Sequence, residues 1–572
     1  MKKYFRTISL LLAGVLLLAS CGAAGSMAPA AEMEMADAEA PAAKAEEAYS
    51  EAPARESQAA PAAETKKAPA QESQAAPAER SQSAPSTSRP PAVQPPQQTA
   101  GATTFKDYPR ATFVNTVRDA VATFSLDTDR TSYHLALNWA RAQYRVEPDS
   151  VRAEEWINAF NYDYAFPLRD DSFAISTDVF RHPLDSGLHL ARIAFQAADL
   201  AYDDTPLNVT LVLDASGSMR EGNRVAIARE AAESIRRSLR AQDRIAVVHF
   251  TTRVLSEYTV YHSDPDDSTV RWSIDRLAPH GSTNVQAGLD LGVQLADRIR
   301  RERPDAYNYI ILMSDGVANV DATDPFSILE SADDRDDTNP LRLITIGVGI
   351  ENYNDYLLEQ LAQHGNGWYR YLSTVEQARA TFSRENWLAL SIPFADQTRA
   401  QVTWDPDMVS VWRIVGYENR ATSDESFTEA RKEFAEIPAG AATTVFFELQ
   451  LTDAGRRDTA RLGEVEIRWV TPATGESNRQ HATLLSTSDA MESARGEAFL
   501  RFGSIVALAA DRYSNLDFSE SPVDRDLKIL LDELWSLDRQ LGDLTSYKDF
   551  SFLLDYLTQT AQTERPDSGY SR

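Results

Sequence analysis

The run "NVTLVLDASGSMREGNRVAIARE", Asn208 to Glu230, sets an apolar segment (Val209–Leu213) directly before Asp214, then Ser216 and Ser218, then an amphipathic pattern. Helical spacing after the serines places Ala228, Ala231, Ala232, Ile235 and Leu239 on one face, with Arg229, Glu233, Arg236 and Arg237 outside it. The run therefore predicts a buried strand, a tight turn and a helix. In open α/β sheets ligands bind at the carboxyl ends of the strands, and Asp214 falls at such an end. Hard cations such as Mg²⁺ take oxygen ligands and keep several waters. A carboxylate and two hydroxyls in one turn meet that demand.

The D-x-S-x-S pattern alone is weak, because "DFSES" at Asp517–Ser521 repeats it. That copy follows the polar "RYSN" and precedes Pro522, which predicts a loop and a helix N-cap. The first copy has company. "YIILMSDG" brings Asp315 to the end of another apolar strand, and "GSTN" places Thr283 where a helix begins near Asn284. Further apolar runs at Ile245–Phe250, Tyr309–Met313 and Leu343–Val348 alternate with helical segments. Strands apolar on both faces with helical crossovers imply an α/β fold with a doubly wound, mainly parallel sheet over residues 206–386.

D-x-S-x-S after the first strand, a distant Thr in a Gly-x-T loop and a second Asp in an "SDG" turn resemble the von Willebrand factor type A (VWA) domain. In that family these residues form the metal-ion-dependent adhesion site. The resemblance implies Ser216, Ser218 and Thr283 as hydroxyl ligands, with Asp214 and Asp315 acting directly or through metal-bound water. The expected cofactor is a divalent cation, Mg²⁺ first, with Mn²⁺ or Ca²⁺ as alternatives. One coordination position is left for an acidic side chain from a protein or glycan partner. His280-Gly281-Ser282 stands where the family often has Gly-Gly, and Ser314 where it often has Thr; neither departure removes a ligand. "FSLDTDRTSY", "RAEEWINAFNYDY", "GYENR" and "NYNDYLLEQLAQHGNGWYRYL" further resemble a group of large bacterial envelope lipoproteins with characteristic regions flanking one such domain.

The 572 residues allow two or three domains. A net charge of -28 argues against nucleic acid, whose phosphates need Lys and Arg, and against broad docking on anionic lipid. The single cysteine, Cys21, excludes an internal disulfide framework. It follows a basic start and a short apolar run, and "LASCG" resembles the bacterial lipoprotein signal. That resemblance implies a signal peptide over 1–20 and lipidation of Cys21. It also implies a membrane anchor made of lipid alone and, with Gly22 rather than Asp next, sorting to an outer membrane. Residues 21–103, rich in Ala, Pro, Glu, Gln and Ser with "ESQAAPA" repeated, read as a disordered tether.

Residues 104–205 read as an N-terminal α/β flank, with a strand near Ala122–Leu126, helices from Thr131 and over "AEEWINAF", and two strands of period two. Residues 387–487 read as β-rich and sandwich-like; "EVEIRWV" sets Val465, Ile467 and Trp469 on one face. Residues 488–572 read as helical, with helices over Met491–Asp511, Val523–Leu541 and Tyr547–Thr560 packed on one another. The two flanks are expected to pack as one β-rich unit into which the α/β domain is inserted. Asp127 and Asp129 read as a strand-end turn, and His249 and His364 as packing or turn residues. No phosphate-binding, zinc-protease or nucleophile-elbow motif occurs. The expected function is metal-dependent partner binding in the cell envelope and no enzyme. The alternatives are a structural envelope scaffold in which the metal only stabilises the fold and, behind it, a metal-dependent hydrolase.

Overall fold

The computed structural model describes residues 110–563, apart from 127, 201–203, 320, 330–338, 350–353, 418–419, 421–423, 425–426, 428–434, 473 and 516–522. The leader, Cys21, the tether and the second D-x-S-x-S copy lie outside the described residues.

The central domain is built on β5 (Leu207–Asp214), β6 (Arg244–Phe250), β7 (Val260–Ser263), β8 (Tyr307–Ser314), β9 (Leu341–Val348) and β10 (Tyr369–Leu372), following β1 (Val114–Asn115), β2 (Val121–Ser125), β3 (Phe173–Arg181) and β4 (His189–Ala197) of the preceding flank. The sheet order is β10-β9-β8-β5-β6-β7, parallel except for the edge strand β7. Every residue of β5, β8 and β9 is buried, which is why these runs are mostly apolar on both faces rather than alternating. Helices Arg224–Ser238 and Val285–Glu302 cover the sheet. The second lies very close, since a Cβ at Gly288 would stand 2.5 Å from the Phe250 ring.

The following flank supplies β11 (Pro393–Trp404), β12 (Val409–Val415), β13 (Ala435–Pro438), β14 (Ala442–Leu451), β15 (Arg461–Thr471) and β16 (Glu476–Leu485). Both antiparallel sheets of the flanking unit mix strands from the two sides of the central domain. One runs β1-β12-β14-β4-β3; the other runs β13-β11-β15-β16, with β2 also paired to β11. Their inner faces meet in a core containing Phe124, Ile193, Phe195, Trp404, Phe447, Val465, Ile467 and Trp469. The α/β domain is thus an insertion. Its two ends meet at one turn, where Gly440 N donates to Ala198 O (2.8 Å) and Ala439 N to Ile392 O (2.9 Å).

Buried ion pairs fix the insert to the flanks. Arg342 on β9 donates to Asp396 on β11 (2.7 Å) and lies 3.0 Å from Glu436 on β13. Arg152, just before helix Ala153–Ile157, pairs with Glu155 and with Asp355 at the start of helix Asp355–His364 (2.6 Å to Asp355). Asp129 departs from the strand-end turn expected of it. It is buried, accepts from Tyr369 N on the outer edge of β10 (3.1 Å) and pairs with Arg420 (3.1 Å). It therefore closes the edge of the central sheet.

The C-terminal helices are Ala494–Ser514, Val523–Trp535, Asp538–Leu541 and Thr545–Thr563. The stretch expected as one helix over Val523–Leu541 breaks at Ser536 and Leu537, and Tyr547 Oη donates to Leu534 O across the break (2.8 Å). Ala494–Ser514 also packs on Ala153–Ile157, and Arg413 on β12 holds it through Asp511 (2.9 Å). Among the described residues no helix is long and apolar enough to cross a membrane.

Candidate metal centre

Asp214 ends β5 and is fully buried. One carboxylate oxygen accepts from Ser216 N (2.8 Å) and the other from the Ser314 hydroxyl (2.6 Å), so the residue before Asp315 orients Asp214. The chain then turns through Gly217–Arg220, a short 3-10 turn that brings the Ser216 and Ser218 hydroxyls within 3.0 Å of each other. Asp315 follows β8, its Oδ1 accepting from Val317 N (3.2 Å) and its Oδ2 from Arg224 (2.7 Å).

The Thr283 loop is sewn to this turn through backbone. His280 N donates to Ala215 O (2.8 Å) and Gly217 N to Gly281 O (3.0 Å). Thr283 itself is buried. Its amide donates to the Asn319 side chain (2.9 Å), while Asn319 N donates back to Thr283 O (3.1 Å). Asn319 lies four residues beyond Asp315, so it joins the second and third loops as the Gly217–Gly281 bond joins the first and second.

The electrostatics are those of a site short of positive charge. Burial, with the Asp315 charge added to it, pushes Asp214 up to about 7. Burial also raises Asp315, against the pull of the Arg224 guanidinium. Neighbouring buried carboxylates disfavour joint ionisation unless a cation lies between them. Among the described residues no group of three His, Cys, Asp or Glu side chains is placed to hold a metal ion, so a metal here would depend on hydroxyls. Two carboxylates beside two serine hydroxyls offer an all-oxygen donor set that suits a hard divalent ion retaining water, and Thr283 lies on the loop joined to them through backbone. The donor set fits; Ser216, Ser218 and Thr283, with Asp214 and Asp315, are the residues that would hold the ion.

His249 and His364 lie away from this cluster's bonding. His249, held near 4 by burial and hence neutral, contacts the Ser273 hydroxyl (3.2 Å), and His364 stacks at a tilt on Phe326. Arg224 and Asn319 are the site residues that sequence reading missed. Arg224 carried a signal: it shares the helix face of Ala228, Ala231 and Ile235, all buried, where a charge needs a partner. Asn319 carried none, since nothing periodic marks its loop.

A doubly wound α/β domain with these carboxylate and hydroxyl loops at the carboxyl ends of its central strands defines the protein's class: residues 208–384 match the von Willebrand factor type A domain family, whose members commonly hold a divalent metal at such a site. Residues 99–192 match a family described as von Willebrand factor, and residues 390–527 match "Uncharacterized protein YfbK, C-terminal". The chain thus carries a region that matches the VWA domain followed by one that matches the C-terminal region of YfbK. It is 30% identical to the uncharacterized protein YfbK of Escherichia coli over 387 residues, 63% of this chain and 66% of that protein. It thus spans just under two thirds of that relative. It is also 30% identical over 181 residues to the uncharacterized protein sll0103 of Synechocystis, 31% of this chain and 40% of that one. Among solved structures, a von Willebrand factor type A protein from Catenulispora acidiphila is 15% identical with a TM-score of 0.39, covering 71% of this chain and 89% of that one.

Proposed function

We propose that this chain is a cell-envelope binding protein whose VWA domain captures an acidic group of a protein or glycan through a divalent metal. Ser216, Ser218, Thr283, Asp214 and Asp315 are the ligand set, Mg²⁺ the favoured ion, and a partner carboxylate the group that completes its coordination. The supporting observation is the convergence of three loops, hydrogen-bonded to one another, on two buried carboxylates beside paired hydroxyls. The protein has no enzymatic role in this reading. Lipidation of Cys21, a tether over 21–103 and outer-membrane sorting would set the binding face off the membrane; the tether's reach is about 50 Å. In this reading the insert spans 206–386 and the helical end begins at 488.

The test is capture from solubilised envelopes by the full chain in Mg²⁺ and in excess EDTA, beside Asp214→Ala. Capture lost in EDTA and in the variant, with little change in melting, supports the proposal; capture that persists in EDTA rejects it. The buried ion pairs of Arg342 and Arg152, which weld the domain to its flanks, favour a second reading as a scaffold in which metal only stabilises the fold. Under that reading Ser216→Ala with Ser218→Ala lowers the melting temperature and leaves capture intact.

A further inference from the structure

We propose that Arg224 is a fixed third charge of the metal centre, which weakens its hold on the cation and leaves the loaded site net positive, so that it selects an anionic ligand. The inference rests on the metal-binding reading above and names what sets the strength and selectivity of that site.

Arg224 is placed as a permanent part of the cluster. It opens helix Arg224–Ser238 and is 2% exposed. Its Nη1 bridges Asp315 Oδ2 (2.7 Å) and Ser218 O (2.9 Å), tying one carboxylate to the turn that carries the serine hydroxyls. Gly349, at the end of β9, gives it room, because a Cβ there would lie 2.4 Å from the Arg224 Nε. Glu221 reaches it from outside at 3.5 Å, but that carboxylate is 55% exposed and screened by water. A guanidinium brings a fixed positive charge rather than a titrating one.

The charges then decide the chemistry. Asp214 and Asp315 bring two negative charges, and Arg224 removes one. A divalent ion entering the site leaves one positive charge over, which one partner carboxylate cancels. Without Arg224 the loaded site would be neutral, bind the cation more tightly and gain nothing from an anionic ligand. A guanidinium and a metal ion sharing one buried carboxylate repel each other at low effective dielectric, so the penalty on affinity is large.

The experiment is calorimetric titration of Mn²⁺ alone into the full chain, comparing wild type, Arg224→Lys and Arg224→Met. Arg224→Met should bind Mn²⁺ at least about tenfold more tightly than wild type, and Arg224→Lys within about threefold. A folded Arg224→Met that binds equally or more weakly overturns the proposal. Because that variant strands a buried carboxylate, a second pair removes both partners: Asp315→Asn alone, and Asp315→Asn with Arg224→Met. The double variant should bind Mn²⁺ more tightly than Asp315→Asn, whose arginine faces the ion unopposed; equal affinity overturns the proposal. If wild type binds no Mn²⁺, the metal-binding reading falls and takes this one with it. If wild type binds and the variants do not differ in the stated direction, only the role of Arg224 falls.

Discussion

Gly217 N donates to Gly281 O at 3.0 Å, and a Cβ at position 217 would stand 2.9 Å from that same oxygen. The glycine between the two site serines is therefore a spacer between loops. Any side chain there pushes the Thr283 loop away from the hydroxyl pair. Gly217→Ala should cost about 1–3 kcal/mol of stability, the usual range for overpacking, and weaken Mn²⁺ binding at least about tenfold. Melting and calorimetric titration check the two effects. Unchanged Mn²⁺ affinity in the alanine variant would show that the Thr283 loop has no part in holding the ion.

The Asp214 carboxyl makes the metal-free protein sensitive to pH in an unusual direction. Its ordinary value is 3.8, and burial together with the Asp315 charge lifts it to about 7. The folded state thus holds the proton more tightly than the unfolded chain, and this group favours folding more as pH falls through about 7 towards about 4. In EDTA the melting temperature of wild type should be lower at pH 8 than at pH 5.5 through this group. Asp214→Asn should flatten that slope. Metal affinity should run the opposite way and strengthen as pH rises through 7, because the ion competes with the proton. A wild-type slope that Asp214→Asn leaves intact would assign the pH dependence to other buried carboxylates.

The central sheet was legible because strands covered on both faces are continuously apolar, so Val209–Leu213, Ile245–Phe250, Tyr309–Met313 and Leu343–Val348 announce themselves. The five candidate residues stand out in the sequence because they follow those strands or open a helix, where sequence position fixes place in space; that they hold a metal is the proposal. The insertion was expected from the closeness of domain ends, and the structure meets it at Ala198, Ile392 and Gly440. Strand order across the two flanking sheets was not legible, since partners such as β2 and β11 lie some 275 residues apart and no local pattern encodes which edge meets which. Asp129, Arg152, Arg342 and Arg224 were illegible for a related reason. A charged residue reads as solvated until the partner that buries it is known, and each of these four has a partner from a distant segment: Tyr369 and Arg420, Asp355, Asp396, and Asp315. The break at Ser536 and Leu537 was hidden because the apolar stripe continues through it.

The ion pair of Arg152 with Asp355 carries the last prediction, because it couples the flank to the loop of Asp315. Asp355 opens the helix whose N-cap, Asn354, donates its backbone N–H to Asp315 O (3.1 Å), and Tyr369 Oη donates to Asp355 as well (2.9 Å). Arg152→Met would leave Glu155 and Asp355 buried without their guanidinium, and Glu359 without the charge 3.9 Å away. Stranding buried charges costs about 3–5 kcal/mol, far more than the net worth of the intact pair. Asp355 is already raised by burial against the pull of Arg152; removing that pull raises it further, so the deficit of the variant should shrink as pH falls. The urea midpoint of Arg152→Met should therefore approach that of wild type between pH 8 and pH 5. Adding Asp355→Asn and Glu155→Gln should recover much of the loss at pH 8. If the deficit instead stays constant with pH and the added neutral substitutions recover nothing, Arg152 stabilises this junction through its packed aliphatic stem rather than its charge.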